Sequence, residues 1–446
     1  MANDYVDQFT INGTEVYIQD YGRAQPNGVP VLDSQGKLPI KYLTTLFASN
    51  VRVSPEDPYE DNLVAWAGKL SSPEFKNKGK SWTQGTGANT AYSMSNPTYA
   101  NGLWVCGSSR QGCWWSADGK SWTQGTGKNA TYSMREPVYA NGLWVCGSDS
   151  HGCWWSSDGK SWTQGTGANT TYTIQFLVYA DGLWVGVISS HGLWWSADGK
   201  SWQQGTGKNT TYSMFKPVYA NGLWVCGSNG KGIWWSADGK SWKQGTGEHT
   251  TYMMSGPVYA NGLWVCGSYA HGLWWSADGR SWTQGTGKNT ANTIYTIGYA
   301  NGLWVCGGIS SGCWWSADGK SWTQGTGTNT PYSMQPLVYA NGLWVCGSSS
   351  HGCWWSADGK SWTQGTGANT TYTIQFLVYA DGLWVCGSNN YGIWWSTDGK
   401  SWTQGTGANT AYTMQNPTYA NGLWVCGSSS HGMWWSGVPV YLPEIA

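Results

Sequence analysis

Eight aspartates recur at intervals of 40 residues: Asp118, Asp158, Asp198, Asp238, Asp278, Asp318, Asp358 and Asp398. Each lies inside Ser-Ala-Asp-Gly-Lys-Ser-Trp or a one-residue variant of it. A carboxylate can be an acid, a base, a nucleophile or a metal ligand, but just before a glycine in a short polar turn it has a nearer task. Its oxygens accept backbone N–H groups of their own hairpin, as Asp side chains in turns usually do. The eight are read as turn-formers. Glu136, Asp149 and Glu248 could in principle supply the paired carboxylates of a glycosidase. Nothing in their spacing selects them, and solvated loop charge is the simpler account. His151, His191, His271, His351 and His431 each precede a glycine, but each falls in a different copy of the repeat. They are too dispersed to share an ion, so hydrogen-bonded or solvated loop histidines are expected. No catalytic residue, metal site or cofactor is assigned.

Twelve cysteines are a further chemical resource. They occupy two fixed repeat positions, and where one is missing at the second position Leu193, Ile233, Leu273, Ile393 or Met433 replaces it. A site that accepts Cys or a larger aliphatic is most simply a buried apolar one, where the thiol packs as a small hydrophobe. Cross-strand disulfides or metal remain the alternative.

The elements that must position these residues follow from the period. Residues 1–78 are non-repetitive, 79–436 hold nine copies of one motif, and 437–446 form a tail. Each copy reads as four short strands: PVYA, an Asn-Gly turn, LWVCGS, a loop, GCWWS, an Asp-Gly turn, and KSWTQGTG. Asn-Gly and Asp-Gly favour the positive φ of tight hairpins, and Trp, Val, Tyr and Thr suit half-buried strands. A four-stranded repeat of this length predicts an all-β β-propeller of nine blades. Adjacent Trp114 and Trp115 must point to opposite faces of their strand, so most of the 37 tryptophans are expected to pack blade against blade. Carbohydrate stacking is the sharper alternative. The array begins with a lone last strand (80–87) and ends with the first three strands of a unit. Pairing of those ends would close the ring and leave no exposed sheet edge.

With 24 basic and 24 acidic side chains, neither nucleic acid nor an anionic membrane is an expected partner. No apolar run approaches the roughly 18–20 residues that cross a bilayer. The start, MANDYVDQFTINGTEVYIQD, lacks a basic and an apolar region, so no secretory signal and cytoplasmic synthesis are expected.

The copies differ at two places. Between the last strand of one unit and the first of the next stand Arg135-Glu136, Gln175-Phe176, Phe215-Lys216, Tyr295, Gln375-Phe376 and Gln415-Asn416. Between the second and third strands stand Arg110-Gln111, Asp149, His151, His191, Lys231, Tyr269, His271 and Tyr391. In an up-and-down blade both connections emerge on the same side, and the uniform hairpins emerge on the other. Variation restricted to one side of a rigid scaffold points to ligand binding there, since drift would reach all loops alike. Residues 167–185 and 367–385 are identical, so part of the similarity reflects copying along the gene.

The SADGKSW run resembles the Asp-box (BNR-type) turn of sialidase-like and related propellers. That resemblance implies the fold strongly and an activity weakly. Sialidase activity would imply an arginine cluster, yet 79–435 contain only Arg110, Arg135 and Arg280. Arg280 replaces a turn lysine, so no triad can be assigned. GVPVLDSQGKLPIKYL, residues 28–43, is similar to segments near the start of phage and prophage tail-fibre proteins, with Val31 as a departure. This implies a virion tail location, an N-terminal region that meets other tail or baseplate proteins, a possible homotrimer, and a distal module that recognises a host surface glycan or protein. A glycan-cleaving tail enzyme and a structural spacer are the alternatives.

Overall fold

The computed structural model describes residues 8–11, 14–17 and 78–437, apart from Asn289. In one unit, Gln8–Ile11 and Thr14–Tyr17 pair as an antiparallel hairpin. The remainder of the expected attachment region, including 28–43, and the tail from 438 onward lie outside the described residues.

The repeat array is an all-β ring of nine four-stranded antiparallel blades. Blade 1 holds Thr98–Ala100, Leu103–Gly107, Cys113–Ser116 and Thr123–Gln124, and blades 2 to 8 repeat it. Blade 9 is composite: Thr418–Ala420, Leu423–Gly427 and Met433–Gly437 are completed by Thr83–Gln84 from the start of the array. Thr83 faces Trp435 and Gln84 faces Trp434 in that closing ladder.

The fourth strand is shorter than KSWTQGTG suggests because its continuation leaves the sheet for the next blade. Thr126 donates its N–H to the Lys160 carbonyl at 2.8 Å and accepts from the Trp162 N–H at 2.9 Å. The same stitch joins every neighbouring pair, ending with Thr406 to Lys80 (2.9 Å) and Thr86 to Lys120 (2.8 Å). The first strand has two lengths. It spans three residues where Pro97, Pro137, Pro217, Pro257 or Pro417 precedes it, and seven where Leu177, Ile297, Leu337 or Leu377 takes that place. Proline has no N–H to give the ladder, so pairing stops there.

The tryptophan pair divides as expected. Between blades 1 and 2, Leu103, Val105, Cys113 and Trp115 pack against Met134, Trp144, Cys146 and Trp154. Thus Trp115 faces forward and Trp154, the equivalent of Trp114, faces back. Trp104, Trp114 and Trp122 are 1–3% exposed, which makes them scaffold. Trp115 is half-buried, and Lys160 Nζ of the next blade sits 4.4 Å from its ring centroid. Nine such cation–π pairs ring the propeller, with Arg280 over Trp235 in place of one lysine. That explains why the turn accepts Lys or Arg and nothing else.

The two hairpins use different chemistry. Asn101 and Gly102 both have positive φ (49° and 71°), as the sequence predicts, but of Asp118-Gly119 only the glycine does (70°). Asp118 instead braces the turn. Its Oδ1 accepts the Lys120 and Ser121 N–H groups at 2.8 and 2.7 Å and the Ser116 hydroxyl at 2.8 Å. The Trp122 indole N–H donates to the Gly119 carbonyl from beneath at 3.3 Å. At Asp238, burial pushes the carboxyl up, but the Ser241 and Lys240 amides and the Ser236 and Ser241 hydroxyls outweigh it and hold the pKa at about 2.

Candidate binding face

The strand register decides where the variable residues lie. Trp104 faces Ser116 and Ala100 faces Leu103, so the Asn-Gly and Asp-Gly hairpins share one end of the sheet. Gly107 faces Cys113 and Trp114 faces Gln124, so the second-to-third-strand loop and the exit of the fourth strand share the other. The twenty variable positions therefore lie toward that end, although Gln175, Phe176, Tyr295, Gln375 and Phe376, expected in connections, fall inside the long first strands Ile174–Ala180, Ile294–Ala300 and Ile374–Ala380, where no proline at the fourth position stops the pairing.

The loops on that side hang on uniform side chains. The Gln111 carbonyl accepts from the Trp114 indole (3.0 Å) and from Gln124 Nε2 (2.8 Å), and Gln124 Nε2 also reaches the Ala130 carbonyl (2.8 Å). These bonds use only the backbone of residue 111 and its equivalents, so they leave the side chain there free to differ. Arg110 holds a left-handed φ of 64°, and its N–H donates to the Ser133 hydroxyl at 3.1 Å. The loop is thus pinned to the segment leading into the next blade.

The structure brings some predicted residues together. Arg135 donates from Nε (3.0 Å) and Nη2 (2.7 Å) to Asp149 Oδ1. Glu136 accepts from Asn96 Nδ2 at 3.2 Å, and the Asn96 carbonyl oxygen Oδ1 accepts the Asn416 N–H at 3.1 Å. Asp149 is thus engaged with Arg135, and both share a cleft with Glu136, while Glu248 opens a short turn, Glu248–Thr251, leading into blade 5. Arg135, Glu136, Gln175, Phe176 and Lys216 line a common cleft. Phe215, Tyr269 and Tyr295 line another. Gln375 is exposed, while Phe376, Gln415 and Asn416 are half-buried.

Other positions serve their own blade. His151, His191 and His271 stack on Tyr132, Tyr172 and Tyr252 at 3.6–3.9 Å between centroids. Their Nδ1 atoms lie 2.8–3.0 Å from the carbonyls two residues earlier. Tyr391 stacks on Tyr372 at 3.8 Å, and Lys231 Nζ lies 5.5 Å from the Tyr212 centroid. These uniform tyrosines were missed in the sequence, although a signal exists. The one copy with Asn292 in place of tyrosine has Ser311 opposite it, and only Gln111, opposite Tyr92, is likewise neither ring nor cation.

His249 is a buried outlier. It fills the place of Asn89, Asn129, Asn209 and Asn329 and has no exposed surface. Burial pushes its pKa from 6.5 down to about 4. The folded imidazole is neutral while the unfolded one takes a proton below about 6.5. Its stabilisation is therefore complete above pH 6.5 and lost as the pH falls toward 4, by up to about 3 kcal/mol. His249→Asn is expected to remove that slope in thermal melts between about pH 7.5 and 4; an unchanged slope would refute it. Asp238, with its depressed pKa, loses its contribution only as the pH falls from about 4 toward 2.

The chain is a β-propeller by fold. The crystal structure of the computationally designed Ika8 protein is similar to it at TM-score 0.52 and 9% identity, over 80% of this chain and 100% of that one. YCF48 from Cyanidioschyzon merolae gives TM-score 0.45 at 10% identity over 80% and 98%. YCF48 bound to D1 peptide gives 0.47 at 9% identity over 82% and 100%. At such identities the likeness is one of fold alone. No protein-family model matches the sequence, and no curated protein matches it.

Proposed function

We propose that this chain is a tail receptor-binding protein of a phage or prophage, without enzymatic activity, whose Asp-box-type propeller presents its variable side to a glycan or protein on the host surface. One observation carries the reading. The exposed large hydrophobics among the described residues are Phe176, Tyr269, Tyr295, Ile309 and Tyr391, and all five lie on the variable side. Solvent-facing aromatics confined to one side of an otherwise uniform ring are what contact with a partner requires. The tail-fibre-like segment at 28–43 supports a virion location, attachment to other tail or baseplate proteins, and an oligomer such as a trimer, whose valency would multiply weak contacts.

The test is adsorption of the fluorescently labelled chain to a panel of bacterial strains. On a strain that binds, changing Gln175, Phe176, Gln375 and Phe376 together to alanine should lower adsorption at least about tenfold, with Tm shifted by no more than a few degrees. Unchanged adsorption would remove the variable side from recognition. Release of reducing ends from the bound strain's polysaccharide would replace binding by cleavage. A spacer would adsorb to no strain.

A further inference from the structure

Among the described residues, three clefts on the variable side follow one another around the ring. The first, of about 280 Å³, is lined by Ser93, Ser95, Ser109 and Ser133, with Asp149 and Gln415 beside them. It shares Arg135 and Glu136 with the second, of about 260 Å³, where Gln175, Phe176 and Lys216 join them. The third, of about 100 Å³, is walled by Phe215, Tyr269, Tyr295 and Met253. Phe215 and Lys216 are consecutive, so the second and third clefts meet across one peptide. The segments leading into blades 9, 1, 2, 3, 4, 5 and 6 contribute in that order.

We propose that the three clefts are subsites of one site for an uncharged linear oligosaccharide laid along this arc. The proposal rests on the reading of the variable side as a binding face, and it narrows the ligand. Charge is the first argument. Arg135 is bound through two nitrogens to Asp149, and Lys216 shares its cleft with Glu136. The lining sums to zero, so an anionic ligand meets as much repulsion as attraction. A hydroxyl can donate to Glu136 and accept from Lys216 or Gln175, and such charge-assisted bonds are stronger than neutral ones.

Shape and surface are the second argument. Phe176, Tyr269 and Tyr295 are 42%, 52% and 40% exposed. A sugar ring offers an apolar C–H face to such platforms and hydroxyls at its edge to the polar groups between them. Rigid aromatics make this contact at low entropic cost. Each volume is below the roughly 300 Å³ at which pockets for drug-sized ligands begin, as suits a chain of small units. A protein partner would instead need about 800 Å² with a dry centre, and the serine hydroxyls of the first cleft do not offer one. The lining differs from blade to blade, so the repeated scaffold carries one site rather than nine.

Calorimetry of the full chain with maltohexaose, cellohexaose, chitohexaose and mannohexaose tests this, with an oligogalacturonate hexamer as the anionic comparison. One neutral hexasaccharide should bind at one molecule per chain, with affinity changing less than about twofold between about 50 mM and about 500 mM NaCl. Phe176→Ala and Tyr295→Ala should each weaken it about tenfold or more. Thr163→Ala, on the exposed fourth strand of blade 2 and outside the three clefts, should change it less than about twofold. Preference for the oligogalacturonate, several molecules per chain, or no neutral binding at about 10 mM would overturn the proposal. The adsorption assay separates the two readings. If adsorption is abolished by the alanine substitutions at 175 and 176 while every neutral hexasaccharide fails, the binding face stands and the ligand class falls. Adsorption that protease treatment of the cells destroys would then assign a protein ligand.

Discussion

A chain beginning at Ala88 will fail to form a closed monomeric ring, whereas one beginning at Lys78 will form it. Both lack everything before residue 78, so the difference isolates the ten residues that carry the closing strand. Without them blade 9 loses Trp82, which is 2% exposed, and removal of a buried tryptophan side chain costs about 3–5 kcal/mol. The bonds from Trp82 N–H to Thr406, Gly85 N–H to Met433 and Thr86 N–H to Lys120 go as well (2.8, 2.7 and 2.8 Å), so stitches on both sides of the composite blade open. The last remaining strand, Met433–Gly437, becomes an unpaired edge, which templates association with other chains. The Ala88 chain should therefore elute as oligomers by light scattering, or melt about 10 °C or more below the Lys78 chain. A synthetic peptide of residues 80–87 should restore the monomer by strand addition. Equal melting and equal mass for the two chains would show that the composite blade does not hold the ring together.

Much of this architecture was legible because its determinants are local and repeated. The 40-residue period, the Asn-Gly turns and the complementary ends of the array (80–87 against 416–435) led to nine blades and their mode of closure. What was not legible depends on adjacency between distant residues. Tyr132 and His151 are 19 positions apart in the chain and stack only because the loop folds back over the connecting segment. Sorting residues into uniform scaffold and variable contacts placed them in different classes, although each makes the other's environment. The Gln124 amide likewise fixes the loop carrying residue 111, which lies 13 positions earlier in the chain. The proline rule at residues 97, 137, 217, 257 and 417 was readable in principle, because a missing N–H is a sequence property. It went unread because the copies were compared for side-chain variation rather than for backbone donors. The Asp-Gly turn misled on φ alone: its carboxylate replaces the backbone geometry that Asn-Gly supplies.

The cysteines give the second large effect, which is all or none. In the native chain none of the twelve thiols is expected to react with a disulfide reagent such as dithionitrobenzoate at pH 8, and all twelve should react on unfolding. Every cysteine is a buried free thiol, on strands that face the neighbouring blade. Cys113 packs in the cluster that holds Cys146, and Cys353 donates to Cys386 Sγ across an interface at 3.8 Å. The attacking species in such chemistry is the thiolate. Burial pushes the thiols of Cys106, Cys226 and Cys426 up, and that of Cys266 to about 12, so the reactive form is scarce even where a reagent could reach. Access requires parting two blades, which means breaking the Thr126-type stitches and exposing tryptophans on both sides. Labelling should thus follow the opening of the ring rather than local loop motion. The Ala88 chain, with its ring open, should label first at Cys426 and Cys106, beside the missing strand. Rapid labelling of the intact chain at pH 8 would mean that the blades part freely, and the packing by which they are held would need another description.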